Sequence, residues 1–180
     1  KGIFMFFELE EIYLRELRKL DLEGSWFKWF NDKKITQYQD KRTFPNTIEK
    51  QSDYYEYIST SKTDIVFAII EKFNDKHIGN IGIHNIDYIH RRCEIGIIIG
   101  EIDYQGKGIA KLCINQVKNY IFDTLNLRRI TVFIMHENIA SIKSFESCGF
   151  AKEGTMKEYF FKNGDYLDNN IFGLINKKCS

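Results

Sequence analysis

The chain is short of several things, and each shortage excludes something. It has 1 proline in 180 residues, so stiff extended linkers between domains are not available to it. It has no excess of either charge. Lys plus Arg is 26 and Asp plus Glu is 25, leaving +1. That excludes the basic footprint of a nucleic-acid binder and the self-repelling character of an acidic disordered chain. No apolar run approaches the roughly 20 residues of a membrane span. Ile95–Ile99 is interrupted by Gly96 and followed by Glu101, and Ile3–Phe7 meets Glu8, Glu10 and Glu11 at once. The latter run is also too short for a signal-peptide core. The cysteines at 93, 113, 148 and 179 have no paired spacing, so small buried thiols in a reduced, cytoplasmic chain are expected rather than a disulfide framework. No His, Cys and carboxylate cluster has metal-ligand spacing, and no metal is expected.

What is present suits one globular domain over 1–180, with 43% hydrophobic and 15% aromatic residues. Ile12–Leu17 reads as a strand. Asp21 is placed to cap a helix running to Phe30, and Thr47 to cap another reaching Ile58 with Tyr54, Tyr55 and Ile58 as its apolar stripe. Ile65–Glu71, His77–Ile89 and Cys93–Ile99 read as three meandering strands. A helix over Gly108–Leu125, a strand over Arg129–Met135 and a short helix over Ser141–Cys148 follow. Strands Ala151–Phe161 and Asp165–Ile175 are joined at Asn163-Gly164, the pair favoured in type I′ hairpin turns. The order predicts an α/β (α+β) domain whose mixed, mostly antiparallel sheet has about seven strands and helices on both faces.

The most informative stretch is Cys93–Lys111, where a strand enters a glycine-rich turn that opens a helix. Crowded backbone N–H groups at a helix N-terminus make a site for a pyrophosphate. Lys107 and Lys111 add positive charge. A Walker A loop does not fit Gly106-Lys107-Gly108, and a dinucleotide fingerprint lacks its third glycine because position 111 is Lys. What remains is Gln-x-x-Gly-x-Ala at Gln105, Gly108 and Ala110. A tight turn without a ligand is the plain alternative.

This pattern resembles the pyrophosphate turn of the GCN5-related N-acetyltransferases. The resemblance continues in Asn138-Ile139-Ala140-Ser141, in Phe145–Phe150, and in the ending Glu158–Asp168. The ending is similar to the final hairpin of the branch containing ribosomal-protein and spermidine N-acetyltransferases, and Asp87–Glu94 looks closest to the spermidine enzymes. Residues 78–175 carry the likeness well, and the first 75 or so carry it in outline. The resemblance implies a V-shaped splay between the fourth and fifth strands. It implies that acetyl-CoA lies in that opening. It further implies that main-chain groups of Ile97, Ile98 and Ile99 pair with pantetheine, that Gln105, Gly106, Lys107, Gly108, Ile109 and Ala110 hold the pyrophosphate, and that Asn138 bonds the pantetheine arm with the helix from Ser141 beside the thioester. Residues 76–176 are then the cofactor-binding core, and the part up to about 75 walls the acceptor pocket.

Direct transfer to an amine needs a proton acceptor and a donor for the oxyanion, and the departing thiolate benefits from an acid. Glu94 matches a glutamate of the spermidine enzymes and is the candidate base, its plain alternative being an ion pair with Arg91 or Arg92. His84 in the neighbouring strand is a second candidate, or a substrate contact; His77, His90 and His136 read as exposed turn residues. The chain departs from many relatives at Phe145, where a tyrosine usually protonates the thiolate. Tyr159 and Ser144 are the possible deputies.

In the spermidine enzymes an acidic pair follows the first helix; here the loop reads Gln37–Pro45, with Asp40 followed by Lys41 and Arg42. That charge suits phosphates better than a bare polyamine. Trp29–Thr36 also looks like acetyltransferases of surface-polysaccharide gene sets. The first expectation is therefore an amino-sugar nucleotide, contacted by Asn31, Tyr38 and His84. Spermidine, protein N-termini and other small amines are alternatives, and a non-catalytic acyl-CoA-binding module is the reading from another class. The final hairpin offers an edge for a possible homodimer.

Overall fold

The computed structural model describes residues 5–39 and 44–177. Eight strands form one sheet in the order β1-β2-β3-β4-β5-β6-β8-β7. They are β1 (Phe7–Glu8), β2 (Ile12–Glu16), β3 (Ile65–Glu71), β4 (Lys76–Asp87), β5 (Arg92–Ile99), β6 (Arg129–Met135), β7 (Ala151–Lys162) and β8 (Asp165–Ile175). The extra strand relative to expectation is the two-residue β1. Phe7 holds it there, edge-on to Phe67 and Tyr120 at centroid distances of 5.5 and 5.4 Å. Asn163 and Gly164 turn the last hairpin with φ of 56° and 92°, as a type I′ turn requires.

Alternation along the strands sorts the side chains to two faces. Phe67 and Ile69 of β3 join Ile81, Ile83 and Ile95 in one core. Helices α3 (Ile109–Asn119) and α4 (Ile139–Ser147) cover it, through Cys113, Ile114, Val117 and Phe145. Val66, Ala68 and Ile70 point the other way, against Trp26 and Trp29 of α1 (Trp26–Trp29) and Tyr55 and Ile58 of α2 (Ile48–Thr60). Asn80, Gly82, His84 and Glu94 occupy this second face, because Asn80, Gly82 and His84 alternate with Ile81 and Ile83, and Glu94 alternates with Cys93 and Ile95.

Three expected elements differ. Asp21 does not cap a helix to Phe30. Its carboxylate accepts from Arg15 at 2.8 and 2.7 Å and from the Arg18 N–H at 2.7 Å, inside a 3₁₀ turn over Lys19–Glu23, and only one α-helical turn, Trp26–Trp29, follows. The helix expected to reach Leu125 is α-helical to Asn119 and closes in a π turn over Tyr120–Thr124. His77 is not an exposed turn residue. It is in β4, largely buried, with its ring 5.0 Å from that of Trp29. Burial pushes its pKa below the ordinary histidine value. The α2 start is as read, with the Thr47 side chain accepting from Lys50 N–H.

Candidate active site

The strand junction decides the site. β5 runs antiparallel to β4 along its length, from His84↔Glu94 to Gly79↔Ile99. Its other edge meets β6 in parallel only at Arg92↔Arg129, Cys93↔Ile130 and Glu94↔Thr131. Beyond Glu94 the two strands part, which leaves the β6-facing main chain of Ile97, Ile98 and Ile99 without a strand partner among the described residues. This is the expected splay, between β5 and β6 in the eight-strand numbering.

The open edge leads to the glycine turn. Gly106 and Gly108 have φ of 73° and 79°, the left-handed region that side chains resist, and Gly108 is the N-cap of α3. A Cβ at either position meets nothing within 4 Å, so their surfaces are open toward solvent. Helix geometry leaves the first N–H groups of α3, beginning at Ile109 and Ala110, without carbonyls of their own. The Gln105 side chain donates to the Ile99 carbonyl at 2.8 Å and so ties the turn to the strand end. Lys107 lies over the Tyr104 ring at 5.3 Å. These residues fit a diphosphate: exposed donors, open glycines and a cation on a short exposed turn.

Across the opening, Asn138 caps α4 by accepting from Ser141 N–H at 3.2 Å. The helix therefore starts at Ile139, two residues before expectation. Asn138, Ser141 and Phe145 line a cavity of about 950 Å³ that continues onto the second face of the sheet. Glu94, His84, Asp64 and Tyr38 line it too. Its aromatic wall includes Trp26, Phe30, Tyr54, Tyr57 and Phe160, and its amides include Gln39, Asn46, Gln51, Asn80 and Asn169. Among the described lining residues, Lys50 is the one lysine or arginine, and Asp64 and Glu94 the carboxylates. Burial raises the Tyr54 hydroxyl to about 12, with help from the nearby Asp64.

The plain alternative for Glu94 does not hold in the structure. Arg91 donates to Asn126, at 2.9 Å to its carbonyl and 2.8 Å to its amide oxygen, and Arg92 pairs with Asp87 at 3.3 Å. Glu94 faces His84 across β4 and β5 instead. Asn31 is placed elsewhere than expected. It does not line the cavity; its side chain donates to the Asn46 carbonyl and accepts from the Asn46 N–H, both at 3.0 Å, clamping two loops. Tyr159 and Ser144 do not line the cavity either. Phe145 is 1% exposed and packs edge-on against Phe150 at 5.1 Å. The loop charges Asp40, Lys41 and Arg42 lie outside the described residues, as does Cys179. Cys93, Cys113 and Cys148 are buried and free.

Sequence reasoning missed Asp64, Asn169 and Lys162. Lys162, from the final hairpin, donates to the carbonyls of Thr36, Gln37 and Gln39 at 3.1, 2.6 and 2.9 Å and fixes the loop that carries Tyr38. No local pattern marks such contacts, since the partners are more than 120 residues apart. Among the described residues no group of three His, Cys, Asp or Glu side chains is placed to hold a metal ion, and no helix is long and apolar enough to cross a membrane.

A splayed sheet with an open glycine turn at a helix N-terminus beside the opening fits a coenzyme A-dependent acyltransferase. Comparison with known proteins agrees. Residues 11–151 match the family described as Acetyltransferase (GNAT) domain. The chain is 33% identical over 148 residues to the spermidine N(1)-acetyltransferase of Vibrio cholerae, covering 82% of this chain and 84% of that one. It is 30% identical over 177 residues to the N-acetyltransferase p20 of Bacillus licheniformis, covering 94% and 98%. The crystal structure of spermidine N-acetyltransferase from Vibrio cholerae in complex with CoA and spermine superposes with a TM-score of 0.83 at 30% identity, over 92% of this chain and 95% of that one. The chain belongs to the GNAT family and is an acetyl-CoA-dependent N-acetyltransferase.

Proposed function

We propose that the chain moves the acetyl group of acetyl-CoA directly to a primary amine of a small molecule, with both substrates bound at once. The observation that supports this most is the position of Glu94. It is the last residue paired with β6, at the apex of the splay, and it faces the second-face cavity. A carboxylate there stands where a thioester on the β5 edge and an amine in the cavity meet. Glu94 accepts the proton from the attacking nitrogen, directly or through water. Main-chain N–H groups of Ile97–Ile99 orient the pantetheine arm and polarise the thioester carbonyl. The amides from Gln105 to Ala110 hold the pyrophosphate, with Lys107 adding charge, and Asn138 and Ser141 border the thioester. Phe145 offers no proton to the departing sulfur. A thiol with an ordinary pKa of about 8.5 leaves tolerably as thiolate near neutral pH, so its departure proceeds without a side-chain acid.

For the acceptor, we read the described wall as suited to a neutral polar ring. Aromatic faces such as Tyr54 and Tyr57 stack on a sugar, and the amides of Gln51, Asn46 and Asn80 match its hydroxyls. Tyr38 and His84 belong to the same wall. An amino-sugar nucleotide is the first reading on this ground. A polyamine is the second, favoured by the names of the relatives and by the carboxylates Asp64 and Glu94. The proposed setting is the cytoplasm, where acetyl-CoA is supplied. Thiol release with nucleotide amino sugars, spermidine and an N-terminal peptide tests the reading. One small-amine class turning over, and Glu94→Gln losing that turnover while binding acetyl-CoA normally, supports it. Tight acetyl-CoA binding with no turnover on any amine makes the chain a binding module instead.

A further inference from the structure

His84 stands on a floor that two glycines leave bare. Gly82 and Gly96 pair across β4 and β5, and the imidazole folds back over Gly82 so closely that a Cβ there would overlap the ring. Its Nε2 and Cδ2 lie at about 4 Å from the Cβ position of Gly96. The β4 bulge begins at this residue, with Asn85 in the left-handed region at φ 51°. A bulge beside a site re-aims the neighbouring side chain. The other ring nitrogen, Nδ1, is 3.0 Å from Asp64 Oδ1.

Asp64 is 8% exposed and its second oxygen, Oδ2, is already engaged. It accepts from the Tyr57 hydroxyl at 2.7 Å, Thr63 Oγ1 at 2.9 Å and Ser61 Oγ at 3.3 Å. Burial alone would raise this carboxyl, but the hydrogen bonds from Tyr57, His84 and Thr63 outweigh it and hold its pKa below the ordinary value. An ionised carboxylate only accepts. In the neutral imidazole the proton shared with Asp64 therefore sits on Nδ1, which puts the lone pair on Nε2, above the glycine floor.

We propose that Asp64 is a positioning residue that fixes His84 as a hydrogen-bond acceptor for the substrate nitrogen, so that His84 and Glu94 together select a primary amine. This rests on the transferase reading above and deepens it. A neutral primary amine has two N–H bonds and one lone pair. With one N–H on His84 Nε2 and the other on the Glu94 carboxylate, the lone pair is left for the thioester carbonyl. Glu94 and His84 are opposite residues of adjacent strands, which places their Cβ atoms about 5 Å apart. As the C–N bond forms, the nitrogen becomes positive, one proton passes to Glu94, and the thioester C–S bond breaks to release coenzyme A thiolate. A secondary amine has one N–H and leaves one acceptor unmatched, which a site built around hydrogen bonds penalises.

The test has an arm that needs no acceptor. Nitrogen-15 NMR of histidine-labelled wild-type enzyme is expected to show His84 with its proton on Nδ1, and Asp64→Asn to move that proton to Nε2, because the new amide donates to Nδ1. With whichever amine the wild type acetylates, N-methylation is expected to lower kcat/KM by tenfold or more. Asp64→Asn and Gly82→Ala, which displaces the ring, are expected to lose most of that discrimination while keeping acetyl-CoA affinity. A wild-type proton on Nε2, or discrimination untouched in both variants, overturns the inference. The transferase reading fails differently, by an absence of thiol release with every amine.

Discussion

Residues 97–110 and the wall drawn from residues 26–39 and 44–64 flank the same opening, yet they are built on different principles. In the proposed reading the first works through the main chain. Its proposed donors are backbone N–H groups, its shape depends on two left-handed glycines at 106 and 108, and its one evident side-chain tie, Gln105 to Ile99, serves the turn itself. The second works through side chains brought from afar: Asp64 to His84 over 20 residues, and Lys162 to the Thr36 carbonyl over 126. A main-chain site tolerates side-chain change but not loss of glycine. A side-chain site is sensitive to changes in the side chains themselves.

Five substitutions sharpen that contrast, taken from the largest expected effect downward. Glu94→Gln should lower kcat by about 10²–10⁴-fold, the range for a lost acid–base group, with acetyl-CoA affinity unchanged in calorimetry; equal losses in both would place Glu94 on the cofactor side. Asp21→Ala leaves the Arg15 guanidinium buried without its carboxylate, and urea unfolding should show a loss of about 3–5 kcal/mol. A loss under about 1 kcal/mol would mean the pair behaves like an exposed one. Gly108→Val forces a branched residue to φ near 79°. At about 1–2 kcal/mol for left-handed backbone, acetyl-CoA affinity should fall by about 5–30-fold, while Lys107→Ala should cost less. Phe145→Tyr should raise kcat at pH 7 by at most about thirtyfold, the factor by which a thiol of pKa about 8.5 prefers its proton there.

The smallest effect is one of pH. Burial keeps His77 neutral in the fold, with its pKa below the ordinary value, whereas the unfolded chain takes up a proton as pH falls through about 6.5. The unfolded state then binds more protons, so stability declines as pH is lowered through that range. Thermal melts of the wild type between pH 7.5 and 5.5 should show the decline, and His77→Gln should flatten it.

The same contrast explains what could be read from the sequence. Strands Ile65–Glu71 and Arg129–Met135 carry their β-branched pattern in full view and fall where that pattern puts them. The glycine turn and the Asn163-Gly164 hairpin are legible because left-handed backbone demands particular residues. Asp21 has the local look of a helix cap, and a cap and a buried ion-pair partner are alike locally; Arg15 decides the matter through tertiary contact. His77 reads as a turn residue beside Asn74-Asp75, yet Trp29 and Asp21 arrive from elsewhere to enclose it. Asp64 carries no local signal at all, being a loop residue before a strand whose importance lies in reaching His84.

The most direct test is titration of acetyl-CoA, followed by calorimetry, into wild type, Gly108→Val and Glu94→Gln in parallel. The division of labour requires strong heat for the wild type and Glu94→Gln and a right-shifted, weakened isotherm for Gly108→Val. Undiminished binding by Gly108→Val, or no binding by the wild type, would contradict it.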